Sequence, residues 1–234
     1  MDLMAIAASG MQQDLQRVET ISQNMANVLT PGYKKQIVQG ATFAQQVDGG
    51  LARAPEALSL SIDPAPGTLR YTGNPQQVAI DGAEFFEIAG KNGPAYTREG
   101  SFHTDVRGRL VGEHGFPVMG TGGEIVLQGA YTIDANGDVR QGDRVAGRLK
   151  LVRFSNPEAL APQGGAMYAQ GGALATESAN APSLRIGYQE NSNVSSPQEM
   201  VRLTEAVRHF EALQKIMQGY DDSLEKTIRK LGEF

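Results

Sequence analysis

Two stretches of this chain repeat their apolar residues at helical spacing, one at each end, and the middle repeats at strand spacing. Near the C-terminus Met200, Leu203, Val207, Phe210, Gln214, Met217, Asp221, Leu224, Ile228 and Leu231 step by three and four. That is a heptad seam, apolar except at Gln214 and Asp221, of the kind that pairs helices. Leu213, Ile216 and Tyr220 widen it. Ser196-Pro197-Gln198-Glu199 reads as its start, with Ser at the N-cap, Pro at the first helical position and Glu three residues on. At 1.5 Å per residue such a helix runs roughly 50 Å. The N-terminal counterpart spans residues 2 to about 27, with a seam of Met4, Ala8, Met11, Leu15, Val18, Ser22 and Met25. Thr30-Pro31-Gly32 stops it, because proline biases the residue before it away from helix. The simplest burial for both seams is against each other or against copies of each other.

Residues 31–67 read as an extended linker with one or two short strands, and residues 68–187 as a β-rich domain, an irregular sandwich or barrel. Short strands alternate there with turn residues at Lys91-Asn92-Gly93, Asp105 to Gly108, Asn136-Gly137 and Gln141-Gly142-Asp143. Expected strands include Val78-Ala79-Ile80, Phe116 to Met119 and Glu124 to Leu127, while residues 157–183, rich in Gly, Ala, Pro and Gln, read as a loop-dominated return. Residues 188–195 form a return linker. The expected fold is therefore mixed α and β. Terminal helical segments (1–30 and 196–234) pair as a coiled coil, with a β-rich domain between them.

Composition removes several kinds of function. A net charge of -5 without a dense Lys/Arg run argues against nucleic acid as a partner. The absence of cysteine excludes thiolate chemistry and disulfides. No apolar stretch is long enough to insert in a membrane. The N-terminus lacks the basic region of a cleaved signal peptide, so export, if it occurs, is expected by another route. His103, His114 and His209 lie apart from any nucleophile-elbow serine. Asp134-Ala135-Asn136-Gly137-Asp138 has the start of a calcium loop, but its Gly falls early and Val145 stands where a bidentate Glu is needed; a hairpin turn is expected instead. No catalytic residue, metal ligand or cofactor site is expected, and the chain reads as a non-enzyme.

With these features in hand, the chain resembles the bacterial flagellar rod and hook proteins. Asn24-Met25-Ala26-Asn27, then Thr30-Pro31-Gly32-Tyr33-Lys34, is similar to the N-terminal motif of that family, with Gln23 and Met25 where the family has Asn and Leu. Val78-Ala79-Ile80-Asp81-Gly82, Phe85-Phe86 and Tyr96-Thr97-Arg98-Glu99-Gly100-Ser101-Phe102 resemble its central β pattern, with Glu84 in place of a Gly. Asn191-Ser192-Asn193-Val194 and the terminal helix complete the resemblance. It implies a structural subunit of the basal-body rod that assembles helically with itself and other rod subunits into a torque-transmitting shaft across the periplasm. It also implies export through the flagellar type III apparatus. The chain is too short for the hook protein; its length and Gly147 to Val152 look most like a proximal-rod member, with a distal-rod member as the alternative. The residues expected at subunit interfaces are Met11, Leu15, Val18, Asn24, Met25, Asn27, Thr30, Gly32, Tyr33 and Lys34, and Met200, Leu203, Val207, Phe210, Met217, Leu224, Ile228 and Leu231. A soluble module that docks its helices on one partner is the competing class; it predicts a closed small complex, whereas a rod interface repeats open-endedly.

Overall fold

A computed structural model describes residues 3–39, 59–176 and 183–232. The architecture is mixed: one helix near each end and a β-rich centre. The first helix, α1, spans Leu3–Ala26 and the second, α2, spans Ser196–Gly232. The first α2 hydrogen bond runs from Glu199 N–H to the Ser195 carbonyl. The N-cap is thus Ser195, one residue earlier than the sequence suggests, and Pro197 falls at the second helical position. Glu199, expected to reach back to the cap, is buried and turned to other partners.

Two compact units divide the chain. The helical unit holds residues 3–25, the strand β1 (Gln36–Gln39) and residues 195–232. Inside it, two contacts fix the register of α1 against α2: Asn24 Nδ2 donates to Glu199 Oε2 at 3.3 Å, and His209 Nδ1 lies 2.6 Å from Asp14 Oδ2. Ten residues forward along α1 is ten residues back along α2, so the helices run antiparallel.

The second unit holds residues 26–35 and the described residues from 61 to 194. Its centre is an antiparallel sheet of six strands. β5 (Phe85–Gly90) lies between β6 (Gly93–Thr97) and β14 (Leu151–Phe154); β16 (Met167–Ala169) and β15 (Ala161–Gly164) extend it beyond β6, and β17 (Ala175–Thr176) beyond β14. Neighbouring side chains on a strand point to opposite faces, and Phe85-Phe86 exploits this. Phe86 and Ile88 enter one core with Val78, Phe102, Leu110, Val118 and Val139, while Phe85 enters another with Ile62, Tyr96, Phe154, Leu160 and Tyr168. Phe86 meets Phe102 edge-on at 5.0 Å between ring centroids, and Tyr96 meets Phe154 at 4.8 Å, separations that favour aromatic contact.

The turns fall where their residues place them. Gly90 pairs with Gly93 across the two-residue loop Lys91-Asn92. Asp134 Oδ1 accepts the backbone N–H groups of Asn136 and Asp138 while Gly137 takes a φ of 84°. This ordered side-chain turn carries the expected hairpin between β11 (Thr132–Ile133) and β12 (Asp138–Gln141). Two expectations need correction. The supposed loop of 157–183 contains β15, β16 and β17, and β16 sits inside the main sheet beside β6. Its small residues hid the alternation that Leu160, Ala166 and Tyr168, all fully buried, carry. The stretches 116–119 and 124–127 reach regular pairing only at Met119–Gly120 and Gly123–Glu124, and Pro117, Val118 and Val126 make isolated bridges instead. Pro117 has no N–H to continue a ladder.

Candidate assembly site

The motif between Asn24 and Lys34 is used within the chain, residue by residue. In the helical unit, Asn24 is buried and its amide grips the backbone of Gln36 at both points: Nδ2 donates to the Gln36 carbonyl at 2.9 Å, and Oδ1 accepts the Gln36 N–H at 2.8 Å. An asparagine amide carries one acceptor and two donors, so it satisfies the start of β1 as a neighbouring strand would. Glu199, which also receives Asn24 Nδ2, is held by Arg202 Nη1 at 3.1 Å.

The rest of the motif belongs to the β unit. Thr30 Oγ1 donates to Asn27 Oδ1 at 3.1 Å in the turn that ends α1. Gly32 has a φ of 70°, its N–H donates to the Glu190 carbonyl at 2.8 Å, and a Cβ there would lie 2.4 Å from the Glu99 nitrogen. Only glycine fits both the angle and the space. Tyr33 is buried with Ala166 and Val194. Lys34 is 1% exposed. Its backbone N–H donates to the Tyr168 hydroxyl at 2.7 Å, and Nζ donates to Glu190 Oε1 at 2.6 Å and to the Ala65 carbonyl at 2.8 Å.

Glu190 therefore serves two buried cations, because Arg98 Nε donates to its other oxygen at 2.7 Å. Arg98 also donates to the carbonyls of Gly82 and Glu84, and its guanidinium stands 5.6 Å from the Phe85 ring centroid. Burial lowers the Lys34 pKa below its ordinary value, with Glu190 pulling the other way. At Glu190 burial acts to raise the pKa, but Arg98 and then Lys34 overcome it and the carboxyl titrates below the usual range. One carboxylate for two cations leaves a surplus positive charge, and the backbone carbonyls absorb it. This network joins Lys34, Arg98 and Glu190 across long sequence separations. Sequence spacing marks each motif but not that they meet; the one available signal was their charge in otherwise apolar surroundings.

Glu99 is a second perturbed carboxyl, pushed up to about 7 by burial and then by the charge of Glu113. Its nearest ion partner is His114, 3.7 Å away.

On the helices, burial falls one residue away from much of the expected seams. In α1 the buried positions are Ala7, Gly10, Gln13, Asp14, Thr20, Ile21 and Asn24. Met11, Val18 and Met25 are half-buried and Leu15 is 58% exposed. In α2 Glu199, Ala206 and Leu213 are buried, and Leu203, Phe210 and Met217 half-buried beside them. Met200 and Val207 remain 56% and 42% exposed, and Ile228 67%. The side chains of Leu224 and Leu231 lie outside those described. The buried stripe of the helices mixes small residues with Ile21, Leu213 and the paired carboxylates Asp14 and Glu199, while Leu15, Met200, Val207 and Ile228 stay in solvent. Among the described residues there is no group of three potential metal ligands, and no helix is long and apolar enough to cross a membrane.

Two helices with solvent-facing apolar columns, a buried Asn-to-Lys motif and a β-rich centre define a class that known families match in the same order. The family described as "Flagella basal body rod protein" matches residues 4–34, "Flagellar hook protein FlgE/F/G D1 domain" residues 79–141, and "Flagellar basal body rod FlgEFG protein C-terminal" residues 185–230. The flagellar basal-body rod protein FlgF of Mesorhizobium japonicum is 30% identical over 99% of this chain and 98% of its own length. FlgF of Salmonella typhimurium is 31% identical, covering 93% of each chain. The rod protein FlgG of Bacillus subtilis is 29% identical, over 94% of this chain and 95% of its own. The chain belongs to the flagellar basal-body rod protein family.

Proposed function

We infer that the chain is a structural subunit of the flagellar basal-body rod, assembling helically with copies of itself and neighbouring rod subunits into the shaft that carries torque. The observation that carries this reading is the exposure of Leu15, Met200, Val207 and Ile228 on helices already paired within the chain. Burying such columns between molecules, as a coiled-coil seam does, gives the repeating interface a filament requires. Met11, Val18, Met25, Leu203, Phe210 and Met217, half-buried in the single chain, flank these columns and complete that surface, whereas Gly32, Tyr33 and Lys34 are engaged inside the β unit.

The proximal part of the rod is the better-supported position. The alignment with FlgF of Mesorhizobium japonicum covers 99% of this chain in 240 positions, while that with FlgG of Bacillus subtilis needs 251 positions for 94%. A distal-type relative thus requires longer insertions. Passage through the flagellum's own type III export apparatus, and placement in the periplasm-spanning rod, go with this reading. Deleting the gene in its host and isolating basal bodies tests it: the deletion strain should lack rods and motility, and the chain should return to the rod fraction on complementation. A deletion strain that swims normally contradicts it.

A further inference from the structure

The helical unit contains a cleft of about 440 Å³ between α1, α2 and β1. Gln36 lines it, is 6% exposed, and its Oε1 has no hydrogen-bond partner, the single such buried side-chain atom among the described residues. A buried acceptor without a donor costs free energy on the order of 1–3 kcal/mol, so the single chain holds this site in an unfinished state. Arg17 and Arg202 also line the cleft, held by Asp14 and Glu199, and Glu205 adds a carboxylate.

The donor has a source in the antiparallel register. With Asp14 opposite His209 and Asn24 opposite Glu199, Leu3 falls opposite Tyr220. From Asp221 to Gly232, α2 continues past the described part of α1, about 18 Å at 1.5 Å per residue. The overhang exposes Ile228 together with Lys226 and Arg229. Interior N–H groups of a helix are spent on its own carbonyls, so a donor delivered by this segment is a side chain, and a cationic one suits an amide oxygen in a cleft that also carries a carboxylate. Resting on the rod reading, we propose that the overhanging end of α2 from a second copy of this chain occupies the cleft, with Lys226 or Arg229 donating to Gln36 Oε1 and Ile228 packing beside Ile37 and Val38.

The chain has no cysteine of its own, which makes mixed disulfides a direct test. Full-length Val38→Cys and Ile228→Cys chains are combined under oxidising conditions across a concentration series, beside Gln36→Met in sedimentation and thermal melts. The proposal expects a disulfide between the two different chains that rises with self-association. Gln36→Met should self-associate about tenfold more weakly, about 1.4 kcal/mol, with its Tm unchanged or raised because the orphan acceptor is gone. Self-association without the mixed disulfide overturns the proposal. Wild-type association by Gln36→Met overturns it as well, since solvent alone then satisfies Oε1; a lowered Tm assigns Gln36 to the fold instead. If the wild-type chain stays monomeric at every concentration, the rod reading itself fails.

Discussion

Glu190 is the residue whose loss leaves most behind it: two buried cations, Lys34 and Arg98, with only carbonyls for partners. Removing one member of a buried ion pair costs about 3–5 kcal/mol, so Glu190→Gln should lower the stability of the β unit by about that much in urea titration. The carboxyl titrates below the ordinary glutamate value of 4.5. Its contribution is therefore complete above that pH and disappears as pH falls through the lower folded value. Glu99 has the opposite sign. Its folded pKa of about 7 lies above the ordinary 4.5, so the folded state binds the extra proton between these values and stability declines as pH rises through them. Melts of the wild type should show this decline and Glu99→Gln should flatten it; equal slopes would remove Glu99 as the cause, although Glu113 and His114 face the same carboxyl.

At the scale of elements, Asn24 links the end of α1 to the start of β1 and to Glu199 of α2. Asn24→Ala strands a buried N–H and C=O on Gln36 and should destabilise the helical unit by about 2–4 kcal/mol, read as earlier loss of helical circular dichroism. Gly32→Ala meets both an unfavourable φ and the Glu99 backbone, so it should cost more than ordinary helix or loop substitutions and lower the yield of folded protein. Much of this was legible in advance, and for identifiable reasons. Lys91-Asn92-Gly93 and Asn136-Gly137 announce their turns through local chemistry, and the alternating pair Phe85-Phe86 announces a strand with two buried faces. The strand Met167–Ala169 was not legible, because one tyrosine among small residues carries no period. The helix faces were half legible: heptad counting finds large apolar columns, yet within one chain Ala7, Gly10 and Ala206 are buried beside Asp14 and Glu199, which are tolerated there because Arg17 and Arg202 neutralise them. The Lys34–Glu190–Arg98 network depends on contacts that no linear spacing encodes.

For the whole molecule, the terminal helices carry a stripe buried within the chain and apolar columns left exposed, which the proposed assembly would bury. Ion-pairing and small residues share the buried stripe with Ile21 and Leu213, while Leu15, Met200, Val207 and Ile228 stay exposed. That division separates folding from assembly: substitutions in the columns should leave the chain folded. The measurement that tests it most directly is sedimentation velocity over a concentration series, comparing the wild type with Leu15→Asp combined with Val207→Asp. Wild-type chains should grow from monomer into a broad, open-ended series of larger species. The double variant should remain monomeric with unchanged helical content and Tm. A wild type that stops at one defined small complex, or a double variant that associates as the wild type does, would contradict the account.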